Sequence, residues 1–396
     1  MKVTLLTFIL CIAAFFHSTE CRGETTEATD SIEISLLTCE PHPAIYSLYG
    51  HTAIRVQNFS TGEDIAVNYG VFDFNTPNFF LRFSLGHTDY CMGVVPFSYF
   101  CSEYRNYGSG IIQQVLNLTD AEKEKILAAL HENYLPENRE YRYNYFYDNC
   151  TTRARDILLN NLERELIKPQ QADDVKTYRS MIHDYNTDYP WARWGNDILL
   201  GFQADRNTTH EERQFLPFNL SNDFDHLELL CPDGSHDKLV NNKFYVVNPG
   251  IQEQEKGFPL RPSICALILL ALTIVVTTLE FVCKRWFWLY DTILMILTGI
   301  CGLVLTWMIF SSHPTVNFNL QILVMNPLTL IFAYSVARRA CQHKIHWWWK
   351  VWTILIVAFL IGRFLQCYAE GMLILALSLL VRCISRGLLK KRLEHR

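Results

Sequence analysis

The stretch YDNCTTR at residues 147–153 decides how the first half of this chain is interpreted. The pattern there predicts a helix that begins at Cys150 or Thr151 and ends near Leu162. The first turn of a helix presents unpaired backbone N–H groups and a positive dipole end, and both stabilise a thiolate. Cys150 is therefore a candidate nucleophile.

A second motif, YGHTA at residues 49–53, supplies an imidazole. It leads into a strand-like run from Ala53 to Val56, which a TGED turn connects to another run from Ile65 to Tyr69. This alternation around a turn predicts a β-hairpin with His51 at its entrance. An imidazole beside a thiol forms an ion pair with it and carries its proton to a leaving group. We therefore expect His51 to act with Cys150.

The other soluble elements favour an α+β domain. Ile34 to Leu37 has the pattern of a further strand, and Thr119 with Glu122 forms a capping box that opens a helix to about Asn133. Strands come first and helices follow, with little of the βαβ alternation that marks a parallel sheet.

The cysteines leave an alternative open. Five of the thirteen lie outside the leader and the apolar segments, namely Cys39, Cys91, Cys101, Cys150 and Cys231. Five thiols in an oxidising compartment form at most two disulfides, and Cys150 is the odd thiol if the other four pair. The competing interpretation makes Cys150 a disulfide cysteine and His51 a packed histidine, as His42 and His87 are expected to be.

Several other kinds of site are excluded. The soluble half has no CxxC, HExxH, GxSxG, P-loop or Rossmann glycine pattern, so we expect neither a metal nor a cofactor. Residues 1–258 hold 21 Lys/Arg against 36 Asp/Glu, whereas residues 261–396 hold 14 against 4. The acidic half lacks the clustered cations that nucleic-acid binding requires.

Hydropathy divides the chain into three parts. Residues 1–22 have the composition of a secretory signal peptide, residues 31–258 form the expected catalytic domain, and residues 260–390 form a transmembrane domain. The transmembrane part has five apolar segments, at about 264–282, 286–310, 320–336, 349–365 and 368–384. Lys and Arg follow the first, third and fifth segments, with Arg386 in the last group, so these loops are predicted to be cytoplasmic and the soluble domain extracytoplasmic.

This topology places some polar residues on the outer side of the membrane. They are the SSHP loop at residues 311–314, which continues to Asn319, and the group Arg363, Gln366 and Glu370. Ionisable groups at membrane depth are costly and often functional, although an ordinary hydrated loop explains them equally well.

The motifs described above resemble those of the Lnb family, the lipoprotein N-acyltransferases of Bacteroides-type bacteria. The resemblance rests on YGH at 49–51, NYGVFDF at 68–74, PENR at 136–139 and DNCTTR at 148–153. It extends to the HP and NP pairs at 313–314 and 326–327 and covers nearly the whole mature chain.

The resemblance implies a permuted papain-like domain, similar to NlpC and lecithin:retinol acyltransferase folds. Cys150 would attack a phospholipid ester to form a thioacyl enzyme, with His51 as base and then acid. The acceptor would be the α-amino group of a diacylglyceryl-cysteine lipoprotein, and the enzyme would lie in the bacterial inner membrane with its catalytic domain in the periplasm. Asn68 is our choice to orient His51.

Further site residues follow from the same resemblance. Asn149 or backbone N–H groups would form the oxyanion hole, with Asp73 behind Asn68. Arg153, His313 and Asn319 are candidates for substrate binding. Two alternatives stay open: a membrane-tethered cysteine peptidase or amidase acting on cell-wall peptide, and a non-enzymatic lipid-binding or envelope assembly protein.

Overall fold

The computed structural model describes residues 31–72, 77–87, 89–168, 175–252 and 257–394. The expected signal peptide at residues 1–22 and the candidate Asp73 lie outside these ranges. The described chain has an α+β first half and a helical second half, as expected. The two halves are in direct contact.

A seven-stranded antiparallel sheet organises the first half. Its strands are β1 (Ile32–Cys39), β2 (His51–Asn58), β3 (Glu63–Val71), β4 (Asp89–Pro96), β5 (Ile111–Leu116), β6 (Glu140–Arg142) and β10 (Val240–Val247). They lie in the order β10-β5-β1-β2-β3-β4-β6, and β7 (Glu165–Ile167), β8 (Glu228–Leu230) and β9 (His236–Lys238) form a small second sheet. The hairpin predicted around residues 53–69 is β2 with β3, in which Ala53 is opposite Asn68.

Helices connect and cover these strands. They are α1 (Phe79–Ser84), α2 (Phe97–Asn106), α3 (Asp120–Tyr134), α4 (Cys150–Leu159), α5 (Tyr178–Tyr185), α6 (Pro190–Leu199), α7 (His210–Arg213) and α8 (Pro217–His226). The predicted capping box of α3 is present, since Thr119 and Glu122 exchange side-chain and backbone hydrogen bonds. The apolar faces of α3, α4 and α8 pack against the sheet and bury Ile126, Ala154 and Phe224.

The second half consists of long apolar helices. They are α9 (Pro262–Cys283), α10 (Trp288–Ile309), α11 (Pro327–Cys341), α12 (Trp348–Gly362) and α13 (Met372–Glu394). Four stretches in the described chain are long and apolar enough to cross a membrane, the third beginning with a short 3-10 turn at Leu320. The fourth of the five expected segments is α12, a shorter apolar helix of 15 residues.

One expectation about the membrane half is wrong. Arg386 does not lie in a cytoplasmic loop but on α13, 1% exposed. Together with Arg382 it pairs with Glu280 of α9 and Asp291 of α10. We call these four residues the membrane ion cluster. Unpaired charges in this position would cost several kcal/mol each, so the cluster fixes how the three helices pack.

Three buried amides fasten the two halves together. The last carbonyl groups of a helix have no partner inside it, and those of α6 receive hydrogen bonds from the membrane half. Asn319 Nδ2 donates to Ile198 O at 2.7 Å, Gln321 Nε2 to the Asp197 carbonyl at 2.8 Å and Gln366 Nε2 to the Leu200 carbonyl at 3.0 Å. The first half is therefore held on the helical bundle through main-chain atoms of α6.

Candidate active site

Cys150 occupies the first position of α4, as the sequence predicted. Asn149 caps the helix, because its side-chain oxygen accepts hydrogen bonds from the N–H groups of Thr151 and Thr152 at 2.9 and 3.0 Å. Thr151 Oγ1 is hydrogen bonded to Thr52 Oγ1 of β2 at 3.1 Å, and this buried contact fixes the helix start against the strand. The thiol is only 7% exposed.

His51, the first residue of β2, lies against Cys150, and the two side chains interact electrostatically. The ring atom Nε2 of His51 is also hydrogen bonded to Oδ1 of Asn68 on β3. An amide oxygen only accepts, so Nε2 carries a proton and Nδ1 is left to take the proton of the thiol. The three residues have the geometry of a nucleophile, a base and an orienting group.

The electrostatics of the pair favour a thiolate. Burial raises the pKa of Cys150, but the charge of His51 and hydrogen bonds from His51, the Thr52 backbone N–H and Thr151 lower it to about 7. Burial lowers the pKa of His51, whereas the charge of Cys150 and hydrogen bonds with Cys150 and Asn68 raise it above its usual value. A large fraction of the thiol is therefore ionised near neutral pH.

Three tyrosines at alternate positions of the sequence, Tyr141, Tyr143 and Tyr145, lie beside the thiol. We call them the tyrosine wall. In each of them burial raises the pKa, and the negative charge of Cys150 raises it further, so the phenols are neutral donors. The buried hydroxyls of Tyr141 and Tyr145 have no hydrogen-bond partner within the described chain. A buried hydroxyl without a partner costs free energy, which makes these two groups candidates to bind a substrate oxygen.

Gly70 leaves an open space between the thiol and this tyrosine wall. Its φ is +84°, and a Cβ added there would lie 3.9 Å from Cys150 Cβ, 3.5 Å from Tyr143 Cε2 and 3.9 Å from Tyr141 Oη. Glycine adopts this backbone conformation without strain and puts no side chain into the space. No side chain of β3 therefore fills the space between Cys150 and Tyr143 at this position.

The sequence motifs did not predict that Gly70 and the three tyrosines lie beside the thiol. The available signal was the run YRYNY at residues 141–145, whose alternation directs three phenols to one side. It carried little weight alone because residues 143–145 form no regular strand.

The structure gives Asn149 and Arg153 supporting positions. Both side-chain N–H groups of Asn149 are used, by the carbonyls of Tyr145 and Phe215 at 2.9 Å, so its amide has none left for an oxyanion. Arg153 forms two hydrogen bonds with Asp148, at 2.6 and 2.8 Å, and its guanidinium lies 3.5 Å from the centre of the Tyr141 ring. Arg153 therefore positions Tyr141 and does not itself reach the thiol pocket as a free cation.

His313 and Asn319 are not brought to the thiol. His313 Nε2 donates to the Phe83 carbonyl at 2.8 Å, and Asn319 is 2% exposed and bonded to the end of α6. Their positions do not support direct substrate binding, because both connect the membrane half to the catalytic half.

The expected disulfides between Cys39, Cys91, Cys101 and Cys231 are not formed. All eleven cysteines of the described chain are free, including Cys39, Cys91, Cys101 and Cys231. Cys150 is thus distinguished by its contacts with His51 and not by elimination. Among the described residues no group of three or more His, Cys, Asp and Glu side chains is placed to hold a metal ion.

Comparison with known families agrees with this two-part organisation. Residues 23–184 match the family described as the Lnb N-terminal periplasmic domain, and residues 252–393 match the Lnb transmembrane domain. The chain is an Lnb-type protein. No curated protein and no solved structure matches it.

The family match fixes the general role of this Lnb-type protein. It is a membrane protein of the lipoprotein-processing type, with a periplasmic domain followed by a transmembrane domain. The Cys150 and His51 pair lies in the part that matches the periplasmic family.

Proposed function

We propose that this Lnb-type protein is an apolipoprotein N-acyltransferase that moves an acyl chain from a phospholipid to the α-amino group of a diacylglyceryl-cysteine lipoprotein. The observation that carries the proposal is the Cys150, His51 and Asn68 constellation on a domain held against a membrane bundle. The arrangement of a histidine on a strand that precedes a cysteine at a helix start supports thiol chemistry.

The first half-reaction forms a thioacyl enzyme. The Cys150 thiolate attacks the ester carbonyl carbon, the new S–C bond forms, and the ester C–O bond breaks as the tetrahedral intermediate collapses. His51, holding the proton taken from the thiol, protonates the departing lysophospholipid oxygen. Asn68 keeps the imidazole in the orientation that both transfers need.

The negative oxygen of the tetrahedral intermediate needs hydrogen-bond donors. Asn149 caps the N–H groups of Thr151 and Thr152, so the N–H of Cys150 is the first-turn donor nearest the reacting carbon. The neutral Tyr141 hydroxyl, next to the Gly70 space, is a second donor. Donors held in place before the reaction stabilise the developing charge most effectively.

The second half-reaction transfers the chain. The α-amine of the lipoprotein attacks the thioester carbon, His51 accepts the amine proton, and Cys150 leaves as thiolate. Both substrates are membrane-anchored, which explains why a thiol enzyme would be fixed to a bundle of apolar helices. A cell-wall peptidase has no comparable requirement for spans.

Mass spectrometry of a lipoprotein N-terminus provides the test. Purified full-length protein is incubated with phospholipid and a diacylated lipopeptide, and the mass of the lipopeptide is followed. We expect wild-type protein and Cys91→Ala to add one acyl chain to the α-amine, and Cys150→Ala to add none. Cys91 is a suitable control because it is a free cysteine in the sheet that carries His51.

A second measurement separates the two steps. Without acceptor, the wild-type protein should gain the mass of one acyl chain on the peptide that contains Cys150, and hydroxylamine should remove it. A wild-type protein that cleaves cell-wall peptide and leaves the lipopeptide unchanged would contradict the proposal.

A further inference from the structure

Helix α1 (Phe79–Ser84) lies at the outer end of a membrane span. Ser84 Oγ accepts a hydrogen bond from Trp307 Nε1 at 3.1 Å, and the Leu85 carbonyl accepts one from Ser312 N at 2.8 Å. Trp307 is near the end of α10, whose 22 residues extend about 33 Å, the thickness of the hydrocarbon core. Helix α1 is therefore level with the lipid headgroups.

The connection that follows α1 is fixed against the membrane half. Gly86 has a φ of +73°, and a Cβ there would lie 3.0 Å from the backbone nitrogen of His313. His87 Nε2 is within 3.1 Å of Ser312 Oγ. These contacts hold α1 at one height relative to α10.

The exposed side chains of α1 suit a bilayer surface. Leu81 and Phe83 are 49% and 48% exposed, although both are large and apolar. Apolar side chains exposed next to the end of a span lower the free energy of the protein when they contact acyl chains.

Two arginines beside them share one carboxylate. Arg82 of α1 is 2.5 Å from Asp89, and Arg142 of β6 is 3.4 Å from the other oxygen of the same Asp89. All three side chains are more than a third exposed. Two guanidinium groups on one carboxylate leave an excess positive charge, and guanidinium donors match the geometry of phosphate oxygens.

Arg142 of this arginine pair is next to Tyr141 on strand β6. Asp89 of β4 is opposite Arg142 of β6, and the next pair is Tyr90 with Tyr141. The side chain of Tyr141 borders the Gly70 space on the thiol side, whereas the neighbouring Arg142 points to the exposed side. Arg142 and Tyr141 therefore lie on opposite faces of β6, which is the edge strand of the sheet, so a molecule held by Arg142 reaches the tyrosine wall around that edge.

We propose that Arg82 and Arg142 bind the phosphate of the donor glycerophospholipid while Leu81 and Phe83 contact its acyl chains, which presents its ester to Cys150. This inference rests on the proposed function, because it names the donor site of the same reaction. The acceptor lipoprotein has no phosphate at its lipid anchor and does not use this pair.

Thioacyl formation at varied phospholipid content tests the proposal. Full-length protein in neutral detergent micelles receives phosphatidylethanolamine at increasing mole fraction, and acylated Cys150 is quantified by mass spectrometry. Arg82→Gln/Arg142→Gln removes both guanidinium groups, and we expect it to raise the half-saturating mole fraction at least about tenfold, since tenfold already corresponds to one charge-assisted contact. Lys125→Gln, which removes a cation from an exposed ion pair with Glu163, should leave that fraction unchanged.

Two companion measurements make the result specific. Acylation by p-nitrophenyl butyrate, which has no phosphate, reports the thiol itself, so the ratio of phospholipid to nitrophenyl ester rates should fall at least about tenfold. The double variant Arg82→Lys/Arg142→Lys retains the charge and should recover part of the affinity. Leu81→Ser/Phe83→Ser should also raise the phospholipid requirement.

Each possible failure has a distinct meaning. Equal half-saturating fractions for wild type and Arg82→Gln/Arg142→Gln would overturn the donor site, as would a raised requirement for acceptor lipopeptide alone. A wild-type thiol that reacts with p-nitrophenyl butyrate but with no phospholipid would instead overturn the proposed function.

Discussion

The catalytic pair and the membrane ion cluster are both buried charged groups, and they differ in what a proton can do. Cys150 and His51 can exchange a proton and become neutral together, so their charges exist only when the surroundings favour them. Arg382 and Arg386 are charged at every accessible pH and require Glu280 and Asp291 beside them. The first pair is suited to chemistry, and the second to holding helices in register.

Removal of the base should give the largest effect on the catalytic side. His51→Ala deletes the group that takes and returns the proton, and general acid–base catalysis contributes up to about 10⁴-fold. We expect acyl transfer to the lipopeptide to fall by about that factor, measured as initial rate by mass spectrometry. His236→Ala, which removes an exposed histidine paired with Glu228 on the small second sheet, is the matched control and should keep more than half of the activity. Equal loss in both variants would argue against a specific role for His51.

Removal of one cation from the membrane ion cluster should instead affect stability. Arg382→Ala leaves Glu280 and Asp291 with one guanidinium between them, and breaking a buried ion pair costs about 3–5 kcal/mol. We expect a lower unfolding midpoint in detergent for the full-length protein. Arg363→Ala, an exposed cation at the end of α12, should have little effect.

The Cys150 pKa of the folded variant shows whether the membrane ion cluster also acts on the thiol. Folded Arg382→Ala protein should keep a Cys150 pKa like that of wild type. A change in the thiol pKa with no loss of stability would show that the cluster acts on the chemistry.

The pH dependence of thiol alkylation measures how far the catalytic pair is ionised. The Cys150 pKa is lowered to about 7, so its reaction with iodoacetamide should be fast above pH 7 and decline as the pH falls below it. In His51→Ala the charge and the hydrogen bond of His51 are lost, whereas burial and the hydrogen bonds from Thr52 and Thr151 remain, so the midpoint moves upward. Cys91, whose pKa burial raises, is an internal reference that should react only at higher pH. Overlapping curves for Cys150 and Cys91 would exclude the ion pair.

The smallest predicted effect concerns orientation. Asn68→Ala removes the acceptor of the His51 Nε2 proton but leaves both reacting groups, so we expect a loss of about tenfold in kcat, similar to that of other supporting hydrogen bonds. Asn68→Asp should recover the orientation and raise the pKa of His51, which would shift the acidic limb of the kcat profile. If kcat and its pH profile are unchanged in Asn68→Ala, Asn68 does not orient His51 for the reaction.

Local signals in the sequence predicted the fold around Cys150 and His51 well. The TGED turn with alternating flanks predicted β2 and β3, and polar residues before Cys150 predicted the start of α4, because turns and caps depend on neighbouring residues. Non-local features were missed. The tyrosine wall depends on β6 pairing with β4, and nothing near Tyr141 in the sequence indicates that partner.

The outer polar residues show the same limit. Hydropathy placed His313 and Asn319 on the side of the catalytic domain, but it could not show which groups they contact. An Asn or Gln side chain can bind a substrate in one fold and the end of a helix in another. The sequence alone does not distinguish these two roles. The Arg386 prediction failed because a basic residue after an apolar run is also able to pair within the bundle.

The attachment of α6 has an evolutionary consequence. Asn319, Gln321 and Gln366 contact carbonyl oxygens of residues 197–200, and every amino acid has a carbonyl oxygen. Substitutions on the α6 side of these bonds are therefore tolerated, while the three amides are constrained. Correlated substitution between the two domains should be weak at this contact, so methods that detect interfaces from covariation would overlook the joint that holds the thiol above the bilayer.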